Sequence, residues 1–235
     1  MSSPAASPPE VGVIIVAAGA GARAGSGEPK QFRSIAGVPL LLRALRPFTS
    51  HPDVARVTVA LPAGIAEHPP EWLGKLRGER LEFVTGGATR ADSVRAGLGA
   101  LAPDVRIVLV HDAARPFVGR ETIDAVIACA RSGAGAVAAV PMSDTIKEAG
   151  PGGRITRTVP RDNLWRAQTP QGFPRPMLEQ AYARLKSDDH PPTDDAELCE
   201  RAGFPVNVVA DSAHNLKVTT ADDFRIAEAF ARELR

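Results

Sequence analysis

Short apolar runs alternate along this chain with segments of helical period, and that alternation limits the fold more than any other feature. Val11–Ala17 (VGVIIVA) is continuous, β-branched and closed by glycines, the pattern of a parallel strand buried on both faces. Val54–Leu61, Leu81–Val84, Val105–His111, Ala136–Val140 and Val206–Ala210 continue the series. Between them lie helical patterns at Pro39–Phe48, Thr89–Leu101, Thr122–Arg131, Pro176–Lys186 and Thr220–Leu234. Val94, Leu98 and Leu101 share one face, as do Ile123, Val126, Ile127 and Ala130, and Thr220 stands three before Asp223 in capping-box spacing. The alternation predicts an α/β fold in three layers: a mostly parallel sheet with helices on both faces. The 235 residues suit one such domain over 11–235. The Ser/Ala/Pro-rich stretch 1–10 reads as a disordered tail rather than a signal peptide.

One segment breaks the rhythm. Asp144–Ala149 and Arg154–Val159 flank Gly150-Pro151-Gly152-Gly153, which predicts two strands around a tight turn. Neither strand has a strong apolar face, and an isolated two-stranded ribbon is marginal in water. Residues 141–163 are therefore expected to form an arm that lies on something else, most simply a second subunit. A hairpin docked on its own domain is the plainer alternative.

The net charge is +1, so no overall field recruits nucleic acid or an anionic membrane, and no apolar run approaches the ~20 residues of a membrane helix. Cys129 and Cys199 make no metal-ligand spacing and suit a reducing, cytoplasmic setting.

The first strand runs into a loop of small residues, Ala17 to Gln31, opening Ala17-Ala18-Gly19. Such residues let backbone N–H groups approach a polyphosphate closely. Gly19, Gly21 and Ala24 match the dinucleotide pattern G-x-G-x-x-A, but Gly25, Gly27 and Pro29 keep the segment from opening a helix. Pro62-Ala63-Gly64 also stands where a ribose-holding acid is required. The loop carries two cations, Arg23 and Lys30, placed to neutralise a transferring phosphoryl group at the carboxyl end of a strand. Asp112 ends the apolar run Ile107–His111 at the same sheet edge. A carboxylate there can hold Mg²⁺, or it can cap a helix. His111 beside it reads as a structural histidine.

Together these segments resemble a known family. A-A-G-x-G-x-R before P-K-Q-F, R-A-D-S-V at Arg90–Val94, V-H-D-A-A-R-P at Val110–Pro116 and D-T-I-K at Asp144–Lys147 are similar to 2-C-methyl-D-erythritol 4-phosphate cytidylyltransferases. So are R-x-x-L-W-x-x-Q-T-P-Q at Arg161–Gln171, T-D-D-A at Thr193–Ala196 and N-L-K-V-T at Asn215–Thr219. The resemblance implies a nucleotide-diphospho-sugar transferase fold and a homodimer with crossing arms. It also implies transfer of a cytidylyl group from CTP to methylerythritol phosphate with Mg²⁺. Ribitol 5-phosphate is the rival acceptor, and a nicotinamide oxidoreductase is the distant one.

The resemblance also implies roles. Arg23 and Lys30 contact the triphosphate, Lys30 at the α-phosphate, and Lys217, in an expected strand Asn215–Val218, meets it from the other side. Gly87 and Ser93 read the cytosine, with Ala88 contributing no side-chain contact. Arg115, Thr145, Arg161, Thr169 and Thr193 hold the polyol phosphate. Asp112 binds the metal, with Asn215 as a second oxygen ligand. Without the resemblance, Lys217, Thr145 and Arg161 read as surface residues. A phosphate monoester is already nucleophilic at neutral pH, so no general base is expected.

Overall fold

The computed structural model describes residues 9–19, 29–185 and 190–233. Strand β1 (Val11–Val16) leads through helix α1 (Leu40–Thr49) to β2 (Val54–Leu61) and β3 (Leu81–Thr85). Helix α2 (Arg90–Ala100), β4 (Ile107–Asp112), α3 (Arg120–Arg131) and β5 (Gly135–Pro141) follow. The arm is β6 (Ile146–Ala149) and β7 (Ile155–Val159), and the chain returns through β8 (Trp165–Pro174). It then continues through α4 (Arg175–Arg184), α5 (Asp195–Arg201), β9 (Val206–Ala210) and α6 (Ala221–Glu233).

The main sheet has seven strands in the order β9-β5-β8-β4-β1-β2-β3. Every neighbouring pair is parallel except the two that β8 makes, with β4 and β5. The unbroken apolar run of β1 follows from burial on both faces. Val13 and Ile15 join the layer holding Leu41, Leu45 and Phe48 of α1 and Ile123 and Val126 of α3. Ile14 points the other way, toward Val94 and Leu98 of α2 and Leu178 of α4. Each such side chain contributes about 1.5–3 kcal/mol by leaving water. Gly97 lets α2 settle onto β1, since a Cβ there would lie 2.6 Å from Ile14 Cγ2.

The structure adds one strand that the sequence reading did not mark, and two expectations change. Trp165–Pro174 is a strand in the interior of the sheet although its two prolines, two glutamines and glycine carry little strand signal. Between Ala167 and Gln171 its register slips, so Gln168, Thr169 and Pro170 leave the ladder with β5. Asn215–Val218 is not a strand. Its backbone bonds close a turn (Asn215 N to Ser212 O, 3.2 Å) and reach the loop after β4 (Val218 N to Ala114 O, 2.8 Å). Glu10, assigned to the tail, is anchored: its carbonyl accepts from Arg106 N at 2.9 Å and its carboxylate from Arg131 at 3.0 Å.

The arm pairs as expected, Ile146 opposite Val159, with Lys147 donating to Thr158 at 2.6 Å and Arg157 to Glu148 at 2.7 Å. It continues the β5–β8 hairpin outward, and Ile155 at its tip is 58% exposed. Among the described residues no helix is long and apolar enough to cross a membrane.

Candidate active site

The chain runs from β1 outward to β2 and β3 on one side, then returns to place β4 on the other. The carboxyl ends of β1 and β4 therefore frame the crevice where such sheets bind ligands. A cavity of about 430 Å³ opens there. Four distant stretches line it: Ala17, Ala18 and Gly19 after β1 with Lys30, then Gly87 to Arg90, Asp112 to Ala114, and Lys217 with Thr219. Lys30, Lys217, Asp112, Gly87 and Ser93 are thus brought together as expected. Arg23 lies outside the described residues.

Lys30 stands on a single 3-10 turn, Lys30–Phe32. Buried Gln31 donates to the Ala17 carbonyl at 2.9 Å, tying the far end of the glycine loop to the end of β1. The Lys30 ammonium donates to Val218 O at 3.3 Å, so it sits against the segment that carries Lys217. Lys217 Nζ lies 2.6 Å from Asp112 Oδ2, and Arg90 Nε 3.4 Å from Asp112 Oδ1. Burial by itself would raise the Asp112 carboxyl. Arg90, Lys217 and Arg115 outweigh it and hold that carboxyl far below the usual carboxylate range. Asp112 is therefore an ionised carboxylate at any physiological pH.

The loop before α2 is shaped by close contact. A Cβ on Gly87 would fall 2.2 Å from that of Asp92, and one on Gly86 2.4 Å from that of Ala18. Thr89 caps α2 in a reciprocal box with Asp92. Ser93 is 1% exposed, accepts from Gly87 N at 3.2 Å and donates to Thr89 O at 3.0 Å. Its hydroxyl thus ties the Gly87 backbone to the start of α2. Ala88 lines the cavity with a methyl group alone.

Arg115 and Thr169 lie beneath the cavity rather than in it. The Asp112 N–H donates to Thr169 Oγ1 at 3.0 Å, because β8 pairs with β4 only as far as Val110. The Arg115 carbonyl can only accept, so the neutral His111 ring donates from Nε2–H to Arg115 O at 3.0 Å, and its Nδ1 accepts from the Thr169 hydroxyl, 3.1 Å away. Arg115 donates to the carbonyls of Asn215 at 2.6 Å and Ala167 at 3.5 Å. Asn215 Nδ2 donates to Thr169 O and Asp211. These residues clamp the Asp112 turn and the Lys217 loop, while Arg115 Nε and Asn215 Oδ1 are buried without a hydrogen-bond partner among the described residues. Thr193 is exposed, and its hydroxyl donates to Glu197 at 2.7 Å. Thr145 and Arg161 are exposed at the root of the arm, where Arg161 donates to Ser143 O; neither lines this cavity.

Burial pushes His111 down to about 4 from its ordinary 6.5. The neutral form is the folded form, so its contribution is complete above pH 6.5 and is lost as pH falls toward 4. Stability to urea should drop by about 2 kcal/mol from this group between pH 7 and pH 5. His111→Gln should flatten that part of the profile; an unchanged slope would show that the histidine is not what titrates.

The sequence did not single out Gln31, Arg90, Gln171 or Tyr182. Arg90 and Gln171 lay inside recognisable motifs, but their partners are remote in the chain. In T-D-D-A the sequence marks Asp194 and Asp195 as a helix cap; Asp194 does cap α5, accepting from Glu197 N at 2.8 Å, and Asp195 is the first residue inside it. Among the described residues no group of three or more His, Cys, Asp or Glu is placed to cage a metal. The single carboxylate of Asp112 fits a magnesium ion that draws its other ligands from phosphate and water.

The family model for 2-C-methyl-D-erythritol 4-phosphate cytidylyltransferase matches residues 11–233. An enzyme of that name from Syntrophus aciditrophicus is 40% identical, the match covering 96% of this chain and 97% of that protein. One from Symbiobacterium thermophilum is 43% identical, covering 95% and 93%. The crystal structure of the Thermus thermophilus enzyme of the same name superposes with a TM-score of 0.80 at 38% identity, over 95% of this chain and 99% of that one.

Proposed function

The chain belongs to the 2-C-methyl-D-erythritol 4-phosphate cytidylyltransferase family, and from that premise we propose how its cavity carries out the reaction. The protein transfers a cytidylyl group from CTP to 2-C-methyl-D-erythritol 4-phosphate, a step of isoprenoid biosynthesis, and releases pyrophosphate. The observation that carries the mechanism is the meeting of Lys30, Lys217 and Asp112, from three remote stretches, at one cavity mouth.

An acceptor phosphate oxygen forms a bond to the α-phosphorus as the bond to the bridging oxygen of pyrophosphate breaks. Both reactants are anions, so the chain must position them and balance charge that builds on the α-phosphoryl oxygens. Lys30 and Lys217 flank that point. Lys217 exchanges its ion pair with Asp112 for the phosphates as the nucleotide enters. Arg23 adds a further cation from the glycine loop. Ala18 and Gly19 present backbone N–H groups, Ala17 being held by its own N–H on Ala60 O at 2.9 Å, and Gly87 presents the base-reading edge that Ser93 fixes. Asp112 would hold the Mg²⁺, which would neutralise charge developing on the phosphates.

The acceptor subsite is completed by a second copy of the chain. The protruding arm, with exposed Ile155, Leu164 and Trp165, is a surface for pairing, and it carries Thr145 and Arg161 away from their own cavity. Thr193 would join them at the acceptor. A single-chain mass in sedimentation equilibrium would refute the dimer. The free thiols of Cys129 and Cys199 suit work in the cytoplasm.

Pyrophosphate release tests the whole reading. With CTP, methylerythritol phosphate should give rapid release and ribitol 5-phosphate little. The reverse order would replace the acceptor, and no release with either would remove the activity.

A further inference from the structure

Behind the cavity runs a chain of alternating charge. Tyr182 on α4 donates its hydroxyl to Asp195 Oδ1 at 2.6 Å. Asp195 Oδ2 accepts from Arg90 Nη1 at 2.7 Å, Arg90 Nε faces Asp112 Oδ1, and Asp112 Oδ2 faces Lys217. Asp195 has no solvent exposure at all. It is the first residue of α5, and Gln171 fixes it: the Gln171 Oε1 accepts from Asp195 N and Ala196 N, both at 3.1 Å, while Nε2 donates to Asp194. Arg90 is likewise the first residue of its helix, held by the Thr89 cap.

A buried ion pair adds little to stability that apolar packing would not supply better. Geometry is what it can supply. Arg90 lines the nucleotide cavity, and a guanidinium there could turn onto the triphosphate. Its Nη2 is buried without a hydrogen-bond partner, so the group is pinned by two carboxylates rather than satisfied by its surroundings.

We propose that Asp195, with Tyr182 behind it, is a positioning residue that holds Arg90 out of the triphosphate and against Asp112, aiming the Asp112 carboxylate into the cavity. The proposal rests on reading that cavity as the CTP site. Without the anchor, Arg90 would pair with the bound substrate in the ground state and leave Asp112 misaimed. Binding of CTP would gain and the transition state would lose.

Asp195→Asn and Tyr182→Phe test this. Binding of CTP is measured by calorimetry with no divalent ion, beside turnover and thermal melting. Asp195→Asn leaves the array one charge more positive, so CTP should bind about three- to tenfold more tightly. The kcat should fall about tenfold or more, as for an ångström of misplacement, with the KM for the polyol phosphate unchanged. A folded Asp195→Asn with wild-type binding and kcat overturns the proposal. So does weaker CTP binding in step with a lowered melting point, which marks a purely structural pair. If Asp195→Asn does not fold, Tyr182→Phe decides. A reduced kcat with near-normal melting supports the role, and an unchanged kcat overturns it. Failure of the unaltered protein to bind CTP would instead sink the nucleotide reading itself.

Discussion

Replacing Lys30 by Ala should lower turnover by about 100- to 1000-fold, the scale on which a single pre-placed charge partner acts in a transition state. The melting point should move by no more than a few degrees. Lys30 sits at the cavity mouth on a turn whose position is set by others: Gln31 fastens it to Ala17, and Phe32 packs edge-on against Trp72. Among the described residues the ammonium donates to Val218 O at 3.3 Å, a bond at the edge of the cavity rather than within the core. Removing it should therefore leave the scaffold and take away charge where the α-phosphoryl group rearranges. The KM for CTP should rise less than kcat falls. Near-normal turnover would show that the α-phosphoryl group is held elsewhere.

The second large effect belongs to Asp112. Asp112→Asn keeps the shape of the side chain and the backbone bond to Thr169, and Arg90 keeps Asp195. It removes the carboxylate that would hold Mg²⁺ and the partner that Lys217 rests on at 2.6 Å. A fall in kcat of about 100-fold or more is expected, and excess Mg²⁺ should not restore it. The two variants separate by their response to metal: Lys30→Ala should keep the wild-type Mg²⁺ dependence, whereas Asp112→Asn should show a weakened one. An Asp112→Asn protein with unchanged Mg²⁺ half-saturation would take the metal away from this residue.

Strands and helices buried on regular faces were legible because their signal is local. β1 reads correctly since Val13, Ile14 and Ile15 are all apolar for the same reason, burial on both sides. The Asp112 position was legible as well, because a charge that closes a buried strand must find a cation, a metal or a helix start at the sheet edge. β8 was not legible. Its register slip places Thr169 under Asp112 and Gln171 under α5, and these polar contacts are satisfied by residues far along the chain. Lys217 stands on a loop rather than a strand for a similar reason: the carbonyl of Ala114 and the turn at Ser212 take its neighbours' bonds.

Glycine, lysine and aspartate in ordered motifs were enough to point from the chain alone to an α/β sheet and to phosphate chemistry at its carboxyl edge. Which of the polar motif residues face the cavity, and which lie beneath it, was decided only by folding. A hydroxyl or guanidinium looks the same in sequence whether it meets substrate or backbone. Ser93 bonds the cap of its own helix, whereas Thr169 and Arg115 bond backbone groups of other elements, 57 and 100 residues away. Arg90 gained its place beside Asp112 because a buried carboxylate 105 residues away pulls on its other side.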